Sequence, residues 1–226
     1  MFNVVLNPCT HEEVINCISD NSPVSKSTGP NSIPISILKY NIDQLIDKIT
    51  SIINKSLAEG TFPDLLKLAS VCPIYKKNDR TKCANYRPIS LLSNLSKFFE
   101  RAMYNRIERF LSEFDTLYRL QFGFRKKHST EHALLSIVEE IRKNLDNGIF
   151  TCGVFIDLEK AFDTVNHKIL LSKLDHYGIR DNSLKWLTSY LANRQQFVKL
   201  NGMRSKNGNI CCGVPQESII RPLFTI

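Results

Sequence analysis

The sequence lacks the cysteine patterns that mark disulfide-rich or zinc-binding domains. Its seven cysteines are an odd number, no two form a Cys-x-x-Cys pair, and Cys211 and Cys212 are adjacent. This pattern argues against a disulfide framework and against a zinc site, and it favours a reducing intracellular compartment, the cytoplasm, the nucleus or both. His128 and His132 stand at helical spacing, but no cysteine or carboxylate partner is evident for a metal.

Long apolar runs are also missing. No stretch approaches the roughly 20 apolar residues that a membrane helix needs. The first residues lack both the basic start and the apolar core of a signal peptide. Internal repeats and low-complexity tracts are absent as well, so we expect no membrane partner.

What remains has the composition of a soluble globular protein. The chain has 226 residues, of which 42% are hydrophobic and 23% are charged, enough for one or two domains with a real core. The net charge of +8 favours an anionic partner, with nucleic acid as the first candidate. Many basic proteins bind nothing anionic, so charge alone leaves this open.

Periodicity predicts several elements around this core. Thr10 to Glu13 has the spacing of a capping box and predicts a helix to about residue 19. Apolar residues recur at helical spacing over 42–57, 94–111 and 134–145. Asn201-Gly202 follows an alternating segment and predicts a β-hairpin.

One stretch combines an apolar run with a carboxylate. Residues 149–156 are rich in apolar, β-prone side chains and predict a buried strand that ends at Asp157. A carboxylate at the end of a buried strand is costly unless something pairs with it, and a divalent metal is one such partner. The alternative is that Asp157 caps the turn that follows.

The string Phe155-Ile-Asp-Leu-Glu-Lys-Ala-Phe-Asp163 resembles the first catalytic motif of reverse transcriptases from non-LTR (LINE-type, jockey-like) retrotransposons. The resemblance implies that Asp157, with the backbone carbonyl of Leu158, binds catalytic Mg²⁺. It also implies that Phe162 lies under the sugar of the incoming nucleotide. Asp163 matches the family pattern, with a structural role.

Three further stretches of the sequence resemble motifs of the same family, and the four motifs occur in the family's order. Pro73-Ile-Tyr-Lys-Lys77 with Tyr86-Arg-Pro-Ile-Ser-Leu-Leu92 resembles its fingertip hairpin, which implies that Lys76 or Lys77 and Arg87 approach the triphosphate. The string Gln121-Phe-Gly-Phe-Arg-Lys-Lys-His-Ser-Thr130 is typical of the family, and Arg125 and Lys126 are its candidates for template or primer contacts. The alternative for the hairpin is a solvated tip that binds no ligand. The alternative for the stretch from Gln121 is a charged surface turn.

Gly213-Val-Pro-Gln-Glu-Ser-Ile-Ile-Arg-Pro-Leu223 resembles a loop that lies beneath the nucleotide, with Gln216 as the side chain that touches it. Two glycines of the family pattern are replaced, by Glu217 and Arg221. Glycine lets a backbone approach a ligand closely, so these replacements put the shape of the nucleotide pocket in question.

The resemblance implies an α+β fold, the fingers and part of the palm of a right-handed polymerase. We expect an N-terminal helical lead-in (1–24), a fingers subdomain (25–147) and a partial palm (148–226). The implied partners are an RNA template, a DNA primer and a dNTP. The family's later Ala-Asp-Asp motif, which supplies further metal-binding carboxylates, does not occur in these residues, so we expect an inactive, truncated copy.

The function implied is RNA-directed DNA synthesis in the copying of a retroelement. The alternatives are a catalytically dead, basic nucleic-acid-binding remnant and an unrelated Mg²⁺ phosphotransferase that uses Asp157. The phosphotransferase leaves the other three motifs unexplained. If the polymerase interpretation is right, Asp157, Phe162, Arg87 and Gln216 should converge on one cleft.

Overall fold

The computed structural model describes residues 3–19, 28–114, 116–158 and 160–225. Within them the α-helices are α1 (His11–Ser19), α2 (Ile35–Tyr40), α3 (Ile42–Glu59), α4 (Asn94–Glu113), α5 (Thr130–Asp146), α6 (His167–His176) and α7 (Asp181–Leu191). The strands are β1 (Leu68–Tyr75), β2 (Tyr86–Leu91), β3 (Gln195–Leu200), β4 (Met203–Arg204) and β5 (Gly208–Asn209). Short 3₁₀ helices occupy Asp64–Leu66, Cys83–Asn85 and Arg221–Thr225.

A mixed sheet runs in the order β2-β1-β3-β4, with β5 also paired to β3. β1 pairs antiparallel with β2 and parallel with β3. The expected hairpin at Asn201-Gly202 is confirmed, because β3 and β4 pair across it. The fold is therefore mixed α and β, as expected.

The helical core is built around Phe62, which precedes β1. Its ring meets Phe99, Trp186 and Tyr190 edge-to-face, with centroid distances of 6.0, 5.3 and 5.0 Å. These contacts join the loop before β1 to α4 and α7. Aromatic edge-to-face pairs add stabilisation beyond the apolar area that they bury.

The expected helices are present, and the capping spacing at the N-terminus is confirmed by the amide of Glu13, which donates to the hydroxyl of Thr10 at 3.2 Å. α2 was not expected, since its sequence follows a stretch rich in Ser, Pro and Asn.

The predicted buried strand over 149–156 is wrong for this chain. No described residue from 148 to 158 belongs to a strand, and the side chains of Phe150 and Phe155 are 100% and 90% exposed. A strand is buried only where neighbours pair its backbone and cover its faces, and no described strand pairs with this segment. The apolar face of α5 is uncovered too, since none of its residues is buried.

No helix in the described part of the chain is both long and apolar enough to cross a bilayer.

Candidate nucleotide-binding site

The β1–β2 hairpin places two cations at the same end of the sheet. Arg87 lies opposite Ile74 in the antiparallel register, and the amide of Lys76 donates to the carbonyl of Asn85 at 2.9 Å. The rings of Tyr75 and Tyr86 meet edge-to-face at 5.7 Å and hold the two chains together there. Lys76 and Arg87 are thereby fixed on one side of a folded hairpin tip.

The turn after Asp157 carries the second group of site residues. The amide of Asp163 donates to the carbonyl of Lys160 at 2.8 Å, which closes the turn around Phe162. The side chain of Asn166 then caps α6 by accepting from two backbone amides of its first turn. The turn is therefore anchored at its end, while Asp157 itself is exposed rather than buried at a strand end.

The loop that begins at Gly213 docks directly on this turn. The amides of Gly213 and Val214 donate to the carbonyls of Val165 and Phe162, at 2.8 and 2.9 Å. Gly213 has a φ of +80°, and a Cβ there would lie 2.6 Å from the carbonyl oxygen of Asp163. Only glycine satisfies both the left-handed backbone and this close approach.

Gln216 is set against the turn by its side chain. Its amide nitrogen donates to the carboxylate of Asp163 at 3.3 Å. Asp163 therefore positions Gln216, which agrees with a structural role for that carboxylate.

Hairpin, turn and loop together enclose a cleft of about 780 Å³. Six of the predicted site residues line it, namely Lys76, Arg87, Asp157, Leu158, Phe162 and Gln216. The expected convergence is observed, because these residues come from three distant stretches. Lys77, Arg125 and Lys126 do not line this cleft.

Both signs of charge face the cleft. Among the described lining residues, the cations are Lys76, Arg87, Lys160 and Arg221, and the carboxylates are Asp157, Asp163 and Glu217. The cations come from the hairpin, the turn and the loop, and the carboxylates come from the turn and the loop. Such an arrangement suits a phosphorylated ligand. Its phosphates would pair with the cationic side chains, and a bound metal cation would link the phosphates to the carboxylates.

Sequence reasoning missed the residues that surround the Phe162 ring. The guanidinium of Arg221 lies 3.7 Å from the ring centroid, and the ring of Phe124 meets Phe162 edge-to-face at 6.3 Å. Partial burial lowers the pKa of Arg221 below its ordinary value, although Asp163 and Glu217 oppose this. An unusual arginine at a glycine position was the only sequence signal for this contact.

The basic loop before α5 lies beside the cleft rather than in it. Lys126 forms an ion pair with Glu108 of α4 at 3.0 Å, and Arg125 donates to the carbonyl of Tyr118 at 3.4 Å. Lys126 also borders a larger surface cavity of about 910 Å³, in which no other predicted site residue lies. The contact of Phe124 with Phe162 joins this loop to the edge of the site.

A buried carboxylate supports the Gln216 loop from below. Glu100 of α4 is fully buried and accepts from the amide of Ile219 at 2.8 Å and from the hydroxyl of Tyr190 at 3.2 Å. That hydroxyl also bonds to Ser218 at 2.8 Å. Burial raises the pKa of Glu100, against the opposing effects of the nearby Arg194 charge and these hydrogen bonds.

The carboxylates present do not make a complete metal centre. No group of three or more His, Cys, Asp or Glu side chains in the described ranges could hold a metal ion. Asp157 is exposed at the cleft, and Asp163 is engaged with Gln216. A two-metal site needs ligands beyond these.

The sequence matches one family model over residues 74–224, described as reverse transcriptase (RNA-dependent DNA polymerase). The probable RNA-directed DNA polymerase from transposon BS of Drosophila melanogaster is 33% identical over 226 residues, covering 97% of this chain. The RNA-directed DNA polymerase from mobile element jockey of the same species is 33% identical over 218 residues, covering 96%.

This chain spans about a quarter of the length of these relatives, 24% in both cases. The family match begins at Ile74 and covers the hairpin tip, the turn and the loop that form the cleft. The chain therefore belongs to the reverse transcriptase family and carries a domain homologous to the RNA-directed DNA polymerases of non-LTR retrotransposons.

Proposed function

We propose that the cleft holds an incoming dNTP at the 3′ end of a DNA primer paired to an RNA template, in the polymerase of a non-LTR retrotransposon. Residues 25–147 would form the fingers, 148–226 part of the palm, and 1–24 a helical lead-in. The observation that carries this proposal is the convergence of Lys76, Arg87, Phe162 and Gln216 on one cleft from three distant stretches.

Each lining residue has a role that its chemistry supports. Arg87 offers a planar fork of donors and Lys76 a point charge, and both suit a triphosphate. Lys77 is the second candidate for that charge, although it does not line the cleft. Phe162 supplies an apolar surface for the sugar, and Gln216, fixed by Asp163, supplies an amide.

Reverse transcriptases use divalent metal ions, and we assign Mg²⁺ here. Asp157 and the carbonyl of Leu158 are this chain's contributions to its binding, since both line the cleft. Mg²⁺ is commonly held by one or two carboxylates together with substrate phosphates. The remaining ligands would come from the nucleotide and from carboxylates outside the described cleft.

Arg125 and Lys126 are proposed contacts to the template or primer backbone. They belong to the loop whose Phe124 meets Phe162, so a strand leaving the cleft would pass them. The net charge of +8 supports an anionic partner. A reducing intracellular compartment is also proposed, since Cys9, Cys72, Cys83, Cys152, Cys211 and Cys212 are free thiols.

Fluorescent dNTP binding, followed by anisotropy, tests the cleft. Arg87→Ala should weaken binding about tenfold or more, because a hydrogen bond to a charged group contributes about 1.5–3 kcal/mol. Lys76→Ala should weaken it by a smaller factor. Lys77→Ala compares the second candidate, because it removes the same charge from a neighbouring residue that does not line the cleft. A larger loss for Lys77→Ala than for Lys76→Ala would assign the contact to Lys77.

Equal losses for Lys76→Ala and Lys77→Ala would show that only general charge matters. If Arg87→Ala binds the dNTP as tightly as the unaltered chain does, Arg87 of the hairpin is not part of the binding site.

A further inference from the structure

Phe162 is the aromatic side chain that the turn and the loop contribute to the cleft, where most of their other lining residues are polar or charged. Aromatic rings are the surfaces on which sugars and bases of nucleic acids pack, and each stacked base contributes to affinity. In this protein a second side chain already uses that surface, because the guanidinium of Arg221 lies 3.7 Å from the ring centroid.

Arg221 is held over the ring by more than this contact. Its Nη1 donates to the carbonyl of Gln216 at 2.8 Å. The carboxylates of Asp163 and Glu217 lie close enough to act on its charge. Phe124 contacts the same ring edge-to-face at 6.3 Å, which leaves less of Phe162 for a ligand.

We infer that Arg221 blocks the sugar and base subsite: while its guanidinium covers Phe162, the cleft binds a polyphosphate chain but gives the nucleoside no contact with the Phe162 ring. The inference rests on the proposed function in taking a nucleoside triphosphate as the ligand. It goes beyond it by separating a polyphosphate subsite, at Lys76 and Arg87, from a nucleoside subsite that Arg221 closes.

The chain offers a matched control for this contact. Arg204 covers the ring of Phe197 at 3.9 Å, in the same cation–π arrangement, and neither residue lines the cleft. Arg204→Ala therefore removes the same charge and the same type of contact as Arg221→Ala, but away from the proposed subsite.

The experiment compares the affinities of dATP and inorganic tripolyphosphate by calorimetry, at one fixed Mg²⁺ concentration. Tripolyphosphate carries the phosphates without a nucleoside, so the ratio of the two affinities isolates the nucleoside contribution and cancels the loss of one charge. In the unaltered chain the two ligands should bind within about threefold of each other. Arg221→Ala should raise the ratio in favour of dATP about tenfold, within the range expected for one stacked base.

Arg204→Ala should leave that ratio unchanged. A tenfold preference for dATP in the unaltered chain would refute the inference about Arg221. An unchanged affinity ratio in Arg221→Ala would refute it too, and neither result would contradict the proposed nucleotide cleft. Failure of both ligands to bind any variant would instead refute the proposed function.

If neither ligand binds, a measurement without ligand still tests whether Arg221 covers Phe162. Urea unfolding of Arg221→Ala, Phe162→Leu and the double variant should give non-additive changes in the midpoint, because the two side chains are in contact. Additive changes would show that the two side chains are not coupled. That result would refute the inference that Arg221 covers Phe162, whichever ligand binds.

Discussion

Replacing Glu100 by alanine is expected to destabilise the protein by about 3–5 kcal/mol, the range for removing one member of a buried charged network. Two donors lose their acceptor, the amide of Ile219 and the hydroxyl of Tyr190. A buried donor left unsatisfied costs about 1–3 kcal/mol, although Tyr190 retains Ser218 as a partner. Arg194, which is 1% exposed, loses the carboxyl group with which it interacts.

The measurement is urea unfolding followed by the fluorescence of Trp186, the single tryptophan of the chain. Glu113→Ala is the matched control, since Glu113 is exposed at the end of the same helix, and such surface changes stay within about 0.5 kcal/mol. Glu100→Gln should cost less than Glu100→Ala, because the amide oxygen can still accept from Ile219. A loss of less than about 1 kcal/mol for Glu100→Ala would refute the buried network as a support of the Gln216 loop.

The same residue gives stability a pH dependence of known sign. Burial raises the pKa of Glu100 in the folded state, so the folded chain keeps a proton that the unfolded chain releases at its ordinary pKa. The stability that this proton contributes is complete below the ordinary pKa and is lost as the pH rises through the raised one. Across that window the stability of the unaltered chain relative to Glu100→Gln should fall, by at most about 1.4 kcal/mol per pH unit.

Three further predictions concern the loop, the charge and the chemistry. Gly213→Ala should destabilise the chain by about 1–3 kcal/mol through its φ of +80° and the clash with Asp163, whereas Gly202→Ala, with open space around its Cβ, isolates the φ effect in urea unfolding. Binding of single-stranded RNA, followed by anisotropy, should be weak, independent of sequence and steeply reduced by salt; salt-insensitive binding would contradict backbone contacts. In primer extension on an RNA template with Mg²⁺, this chain should incorporate no nucleotide, and Glu217→Gly should not restore activity, because the described carboxylates do not complete a metal site. Incorporation that is lost on Asp157→Ala would show that the metal ligands are misassigned.

The helices and the hairpins were predictable from the sequence because they depend on local patterns. α3 and α4 have apolar residues at helical spacing, and the Asn-Gly pair at 201–202 specifies a tight turn between β3 and β4. The site residues were found by resemblance, and the cleft then brought six of them together.

Whether residues 149–158 form a buried strand could not be predicted from the local sequence pattern. The apolar run has the composition of a buried strand, but burial depends on partners elsewhere in the chain, and no described strand pairs with it. For the same reason the apolar face of α5 was correctly assigned to a helix but is not buried.

Glu100 was missed, and Arg221 was noted only as a replaced glycine, because the roles of both depend on tertiary contacts. Glu100 lies on an amphipathic helix where a carboxylate normally faces solvent, and only the fold shows that it meets Ile219. The position of Arg221 over Phe162 likewise requires the loop to dock on the turn, which follows from Gly213 and its contact with Asp163.

Hydrogen–deuterium exchange with and without dATP tests the central claim most directly, because it reports all three parts of the cleft at once. We expect slower exchange on addition of dATP in peptides from the hairpin near Arg87, the turn at 160–163 and the loop at 213–217. The β3–β4 hairpin tip at 201–202 lies outside the cleft and should not change. Protection of only one of the three segments, or of the β3–β4 tip instead, would contradict a single nucleotide cleft built from distant stretches.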